Sequence, residues 1–250
     1  EPLDPLDADP GAAERGTLVH KALEAYLRAH PKTPPADPLA ALVDEGRKVF
    51  EPLRARPGLW AFWWPRFLRL AAWFAAVDRD LRGAGRAAWP EARGEIVLQA
   101  PAGSFTLTAK ADRIDRLADG GLVIVDYKTG EPPKPGDVKQ GFAPQLPLEA
   151  AIAQAGGFEG VPGGAVAALQ YWRLSGGEPP GEISPSKADP GVLAEAARTG
   201  LARLIACFDD PETGYPAVPR PLRAPRFNDY AHLARLKEWS LGGSGFDSLS

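Results

Sequence analysis

Hydrophobic and polar positions alternate along this chain in two different rhythms. Over residues 11–29, Val19, Ala22, Leu23, Tyr26 and Leu27 recur at helical spacing and predict an amphipathic helix. The proline-rich run over residues 31–38 breaks it, and residues 39–50 predict a second helix. A third is predicted from Pro65, placed in a first turn, to about Leu81, with Gly83 and Gly85 ending it. The rhythm then shortens to two. Residues 94–100, 104–117 and 121–128 read as strands separated by the short turns "PAG" and "ADGG", the pattern of an antiparallel meander. A helix over residues 138–155 with Pro147 inside it, a strand over 166–174 and an amphipathic helix over 191–208 follow. A short helix is expected in the arginine-rich tail between Arg220 and Lys237. Helix, three strands, helix, strand describes a central mixed sheet flanked by helices, class α/β or α+β.

The third strand carries the first chemical signal. "LVIVDYK" runs from four apolar residues straight into Asp126, Tyr127 and Lys128. Side chains on a strand alternate faces, so Asp126 and Lys128 share one and Tyr127 takes the other. On the preceding strand Phe105, Leu107, Ala109 and Ala111 share a face, and Thr106, Thr108, Lys110 and Asp112 share the opposite one. Two strands joined by a tight turn bring Asp112 and Asp126 together. Paired carboxylates repel unless a cation lies between them, and oxygen-rich sites suit hard divalent ions such as Mg²⁺ or Mn²⁺. Taken alone, an acid and a lysine two residues apart also describe a surface ion pair, so company is needed.

That company is present. In "RGTLVH", Gly16 lies one turn before His20 at the edge of the apolar stripe. "EARGEIVL" offers Glu95 at a strand start, with Glu91 competing. In "PQLPLEAAI", Gln145 opens the helix after the Asp126 strand. Each residue alone also fits a core or solvated position; the ordered set is what points to a site.

Composition narrows the partners. The 250 residues carry a net charge of −3 at a pI of about 5.7, so nucleic acid is not advertised by the chain as a whole. Cys207 stands alone, which excludes an internal disulfide or a four-cysteine zinc site and suits a reducing compartment. No run approaches a membrane span, no signal peptide opens the chain, and no G-x-x-x-x-G-K-[ST] loop occurs. Trp60, Trp63, Trp64 and Trp73 crowd the third helix, where packing is the plainer expectation and base stacking the sharper one. Residues 1–10 read as an acidic linker and residues 11–250 as a single domain, its core about 11–175 and a helical extension about 190–250. The start at Glu1 and the absence of Met suggest a segment of a longer protein.

From Arg15 to Ala151 the ordered set G-x-x-x-H, glutamate, "ADRIDR", "VDYKTG" and glutamine resembles RecB-type nucleases of the PD-(D/E)XK superfamily. "DYKTG" and "QLPLEAA" are most similar to AddB-type nuclease domains of helicase–nucleases. The resemblance implies a restriction-endonuclease-like core and a metal-dependent exonuclease working in double-strand break repair in the bacterial cytoplasm. It implies Mg²⁺ or Mn²⁺ held by His20, Asp112, Asp126 and the Tyr127 carbonyl. Lys128 would position the attacking water, Gln145 would brace the lysine or contact DNA, and Glu95 or Glu91 would stand beside the metal. Implied partners are a single-stranded DNA end fed by a helicase and an AddA-type subunit. DNA contacts are expected from Lys110, Arg113, Lys134 and Lys139. Two departures stand out. Glu149 occupies a position where such domains often have an aromatic residue. Four cysteines that hold an iron–sulfur cluster in many AddB-type domains are missing, so no cluster is expected; packing of Tyr230, Leu233, Leu236 and Trp239 would replace its pin. The alternatives are a catalytically inactive scaffold for DNA or subunit docking, and a small-molecule metallohydrolase, for which three His are few.

Overall fold

In the computed structural model the described residues are 11–216 and 220, and every element below belongs to one compact unit, Pro10–Asp209. The readings made for residues 1–10 and for the tail, including Tyr230, Leu233, Leu236 and Trp239, lie outside the described residues. Three helices come first: α1 (Ala12–Ala29), α2 (Pro38–Phe50) and α3 (Pro57–Gly83), with a 3₁₀ turn at Glu51–Ala55. Asp37 caps α2 by accepting from the Ala40 amide at 2.9 Å. α3 starts eight residues before the predicted point. Pro57 occupies its first turn and Pro65 lies inside, where it removes one backbone donor. Packing offsets that loss: Trp63, Phe67, Leu70 and Phe74 line its buried side, and Trp64 stacks on Trp60 and Phe67. The tryptophans are thus packing residues, Trp63 fully buried and Trp60, Trp64 and Trp73 partly so.

The sheet follows in the order β1-β2-β3-β4-β5. β1 (Ala87–Ala100), β2 (Gly103–Arg116) and β3 (Leu122–Lys128) form the expected antiparallel meander. The predicted helix over 138–155 is two helices, α4 (Pro135–Lys139) and α5 (Gln145–Gln154). Gly141 at φ 77° turns the chain between them, and Pro147 falls in the first turn of α5, where its missing donor costs nothing. This connection returns the chain so that β4 (Val166–Arg173) pairs parallel to β3. β5 (Glu182–Pro185), too short to signal itself, adds an antiparallel edge. α6 (Pro190–Asp209) completes the unit.

Two apolar layers cover the sheet. Val123, Val125, Tyr127 and Trp172 face α1, α2 and α3; Leu122, Ile124, Leu169 and Tyr171 face α5 and α6. Six residues of β3 in a row, Leu122–Tyr127, are buried, which is the signature of a central strand covered on both sides. The alternation slips once. Leu107, Ala109 and Ala111 belong to the α5 layer, but so does Ile114, so β2 changes phase between Ala111 and Ile114. The partner strand slips opposite it, with Ala92 and Ile96 in that layer together with Trp89. Glu91 sits at the slip with φ 50°, in the left-handed region that a non-glycine residue seldom enters.

Candidate metal centre

The slip and the end of β3 define one site. Asp112 lies at the slip on β2, and its Oδ2 accepts from the Tyr127 amide at 2.7 Å. That bond ties the carboxylate to the strand carrying Asp126 and Lys128. From α1, His20 presents its ring edge: Nδ1 lies 3.3 Å from Asp112 Oδ1, and Nε2 lies 3.1 Å from the Tyr127 carbonyl oxygen. Gly16, one turn earlier, lets α1 approach the end of β3. A Cβ there would stand 3.0 Å from Thr129 Oγ1, and Arg15 donates to the Thr129 carbonyl at 3.4 Å. Lys128 Nζ lies 2.9 and 2.8 Å from the two Asp126 oxygens and donates to Gln145 Oε1 at 3.3 Å.

His20, Glu91 and Asp112 each offer a ligand atom, all within 4.8 Å of one another. The sequence left Glu91 and Glu95 competing, and only Glu91 reaches the site. Glu95 is exposed across from Thr108, four residues down the strand or about 13 Å away, and lines a separate groove with Arg93, Lys110 and Glu159. Strict alternation could not choose between them, because the backbone turn at Glu91 is what swings its carboxylate inward.

The electrostatics suit a cation. Burial raises the Asp126 pKa, opposed by Lys128 and helped by repulsion from Asp112. Burial likewise raises Glu91, opposed by Lys110 and helped by Asp112. Burial pulls His20 down, but its hydrogen bond to Asp112 and the charges of Asp112, Glu91 and Asp126 outweigh it and raise the net value. Glu91, Asp112 and His20 thus cluster, with the Tyr127 carbonyl against His20, while Asp126 pairs with Lys128 outside that cluster and is near enough to raise His20 and to be raised by Asp112. Hard oxygen donors with one nitrogen fit Mg²⁺ or Mn²⁺.

The expected DNA contacts divide. Lys134 and Lys139 are exposed at either end of α4. Lys110 is half-exposed and paired with Glu91. Arg113 is corrected: it is fully buried and cannot touch DNA. It donates to Asp115 Oδ1 at 2.6 Å and Asp78 Oδ1 at 2.9 Å, with its guanidinium 5.1 Å from the Trp172 ring centre. Asp78 also accepts from Arg82 and Tyr26. Regular alternation would put Arg113 on the face of Ala109 and Ala111; the phase slip just before it turns it to the opposite side of the sheet, where it is buried against α3 and Trp172.

Sequence reasoning missed Tyr171, which lies directly across from Asp126 in the β3–β4 pairing with its hydroxyl buried and unpartnered. It left open Glu149, which is buried beside Gln145.

Comparison with known proteins adds the following. Residues 2–222 match the PD-(D/E)XK nuclease superfamily. Uncharacterized proteins of Rickettsia bellii, Rickettsia typhi and Rickettsia conorii are each 25% identical over 155, 159 and 159 residues, 62% of this chain. The chain spans 19%, 18% and 19% of those relatives' lengths. The crystal structure of SSO0001 aligns with a TM-score of 0.33 at 13% identity, over 75% of this chain and 73% of that one.

Proposed function

The chain belongs to the PD-(D/E)XK nuclease superfamily, and from that premise we propose that it is a metal-dependent deoxyribonuclease. The observation carrying this reading is the placement of Asp112, which bonds the Tyr127 amide and lies against His20 beside the strand end where Lys128 pairs with Asp126. His20, Glu91, Asp112, Asp126 and the Tyr127 carbonyl would hold Mg²⁺ or Mn²⁺. Such an ion supplies Lewis acidity toward a phosphate and neutralises the charge that develops there. Lys128 holds an ammonium at the rim, half-buried between Asp126 and Gln145, where it can orient a water or balance charge on a phosphoryl oxygen. Asp126 holds that ammonium in place. Arg15 and Thr129, both part-exposed, flank the end of β3, where a strand backbone would have to lie.

The finer assignment rests on the resemblance of "DYKTG" and "QLPLEAA" to AddB-type domains: exonucleolytic processing of broken ends, with DNA delivered by an AddA-type helicase partner. The test is incubation with end-labelled single-stranded DNA in Mg²⁺, Mn²⁺ or EDTA. Cleavage is expected with metal, lost in EDTA, and reduced at least a hundredfold in Asp126→Ala. A folded chain that binds no divalent cation by calorimetry and cleaves nothing would instead mark a docking scaffold.

A further inference from the structure

α5 buries Leu146, Ala150, Ile152 and Ala153 against the sheet, and in the middle of that apolar face stands Glu149, 3% exposed. An acid in such a position costs stability, because a buried carboxyl needs partners that water would otherwise supply. Glu149 has one: its Oε1 accepts from Gln145 Nε2 at 3.2 Å, while Oε2 is buried without a hydrogen-bond partner. Burial, with the charges of Asp126 and Asp112, pushes its pKa up to about 8 against the opposing pull of Gln145 and Lys128. A leucine would pack there without these costs, so the acid serves something other than packing.

What it serves is visible one turn earlier. Gln145 is exposed and sits in the first turn of α5, where its side chain has no packing to hold it. Its two amide ends are not equivalent. The NH₂ can only donate and the carbonyl only accept. With Nε2 committed to Glu149, Oε1 faces Lys128 Nζ at 3.3 Å. Reversed, the amide would set its NH₂ against an ammonium, donor against donor.

We propose that Glu149 is a positioning residue that fixes the Gln145 amide with its oxygen toward Lys128, and so holds the ammonium between Gln145 and Asp126 over the metal centre. This rests on the nuclease reading of the same site. The chain of contacts runs Glu149, Gln145, Lys128, Asp126, and each link has a donor facing an acceptor. Tyr171 lies across from Asp126, within the electrostatic reach of Asp126 and Glu149, and leaves a second buried oxygen free in the same space. Glu149 touches no reacting atom; it acts only through Gln145.

The test compares Glu149→Leu, Glu149→Gln, Gln145→Leu and the double Gln145→Leu/Glu149→Leu in the full chain. The first readout needs no catalysis: the side-chain amide NMR signal of Gln145 in metal-free protein. One bonded, slowly exchanging NH₂ is expected in the unaltered chain, and exchange at solvent-exposed rates in Glu149→Leu. The second readout is cleavage of single-stranded DNA with Mg²⁺ or Mn²⁺. Glu149→Leu is expected to lower kcat at least tenfold with KM within about twofold, Glu149→Gln to restore most of that loss, and the double variant to fall no lower than Gln145→Leu alone. An unchanged amide signal in Glu149→Leu, or losses that multiply in the double variant, overturns the proposal. Absence of cleavage by the unaltered chain fails the nuclease reading alone, since the amide signal still decides the Glu149–Gln145 link.

Discussion

Glu91 is held at φ 50°, a conformation that costs a non-glycine residue on the order of 1 kcal/mol or more and persists where the surroundings impose it. Its carboxylate is the return: the turn aims it at His20 and Asp112. Glu91→Gln, which keeps the shape and removes the charge, is expected to weaken Mn²⁺ binding at least tenfold by calorimetry, while Glu95→Gln stays within about twofold. Equal effects would place the metal elsewhere. A second expectation concerns protons. Glu149, Asp126 and Glu91 all have folded pKa values above their ordinary ones, Glu149 at about 8. The unfolded chain therefore releases these protons first, between about pH 4 and 5, and the fold loses this stability as pH rises toward 8. His20, also raised, has the same sign: its contribution is full below about pH 6.5 and lost above its folded value. Metal-free protein in EDTA should have a higher urea midpoint at pH 5 than at pH 8, Glu149→Gln should flatten that slope, and Mn²⁺ should recover the loss at pH 8. At this scale strand period was enough to bring Asp112, Asp126 and Lys128 together in the sequence, whereas His20 and Gln145 joined them only through the resemblance; the structure brings His20 to Asp112 and Gln145 to Lys128. The sequence left Glu91 unresolved because one backbone angle decides between two equally spaced acids.

At the scale of elements, β3 was legible because a buried central strand writes an unbroken apolar run, whereas α3 and the α4–α5 break were misjudged because proline has different meanings by position. Pro65 reads as a helix start but is carried inside α3 by the aromatic packing around it. Arg113 was the larger misreading: the sequence offers it as a DNA contact beside Asp112, yet the phase slip turns Arg113 and Asp115 to the side of the sheet covered by α3, where both are buried. There Asp78 joins α1, α3 and β2 through Tyr26, Arg82 and Arg113. Removing one partner from a buried ionic network leaves uncompensated charge, at a cost of about 3–5 kcal/mol. Asp78→Ala, which strands two arginines, should therefore shift the urea midpoint sharply downward, and Asp78→Asn less so. A shift within 0.5 kcal/mol, the range of ordinary surface changes, would mean that solvent reaches the network.

For the whole molecule, the question on the nuclease reading is how a chain of net charge −3 would engage a polyanion. Acidic residues elsewhere do not cancel local cations at a Debye length of about 8 Å in physiological salt. Lys134 and Lys139, exposed on α4, follow β3 directly in the chain, and Arg15 lies at the Thr129 carbonyl where β3 ends. Binding through so few cations releases few counterions. The expectation is weak affinity of the chain for single-stranded DNA that falls with salt only as far as those few contacts dictate, each adding roughly 0.7 to the slope of log K against log salt. Lys134→Ala and Lys139→Ala should each reduce that slope by about this amount while leaving Mn²⁺ affinity unchanged, because neither touches the metal centre. Fluorescence anisotropy across a salt series reads both terms. Tight binding that ignores salt would require base stacking or a deep groove instead. The tryptophans cannot supply the first as they stand: Trp63 is buried and Trp60 and Trp64 stack on each other within the α3 layer. On the nuclease reading proposed above, electrostatics at the end of β3 would then be the term that places a strand over Lys128, beside the candidate metal ligands.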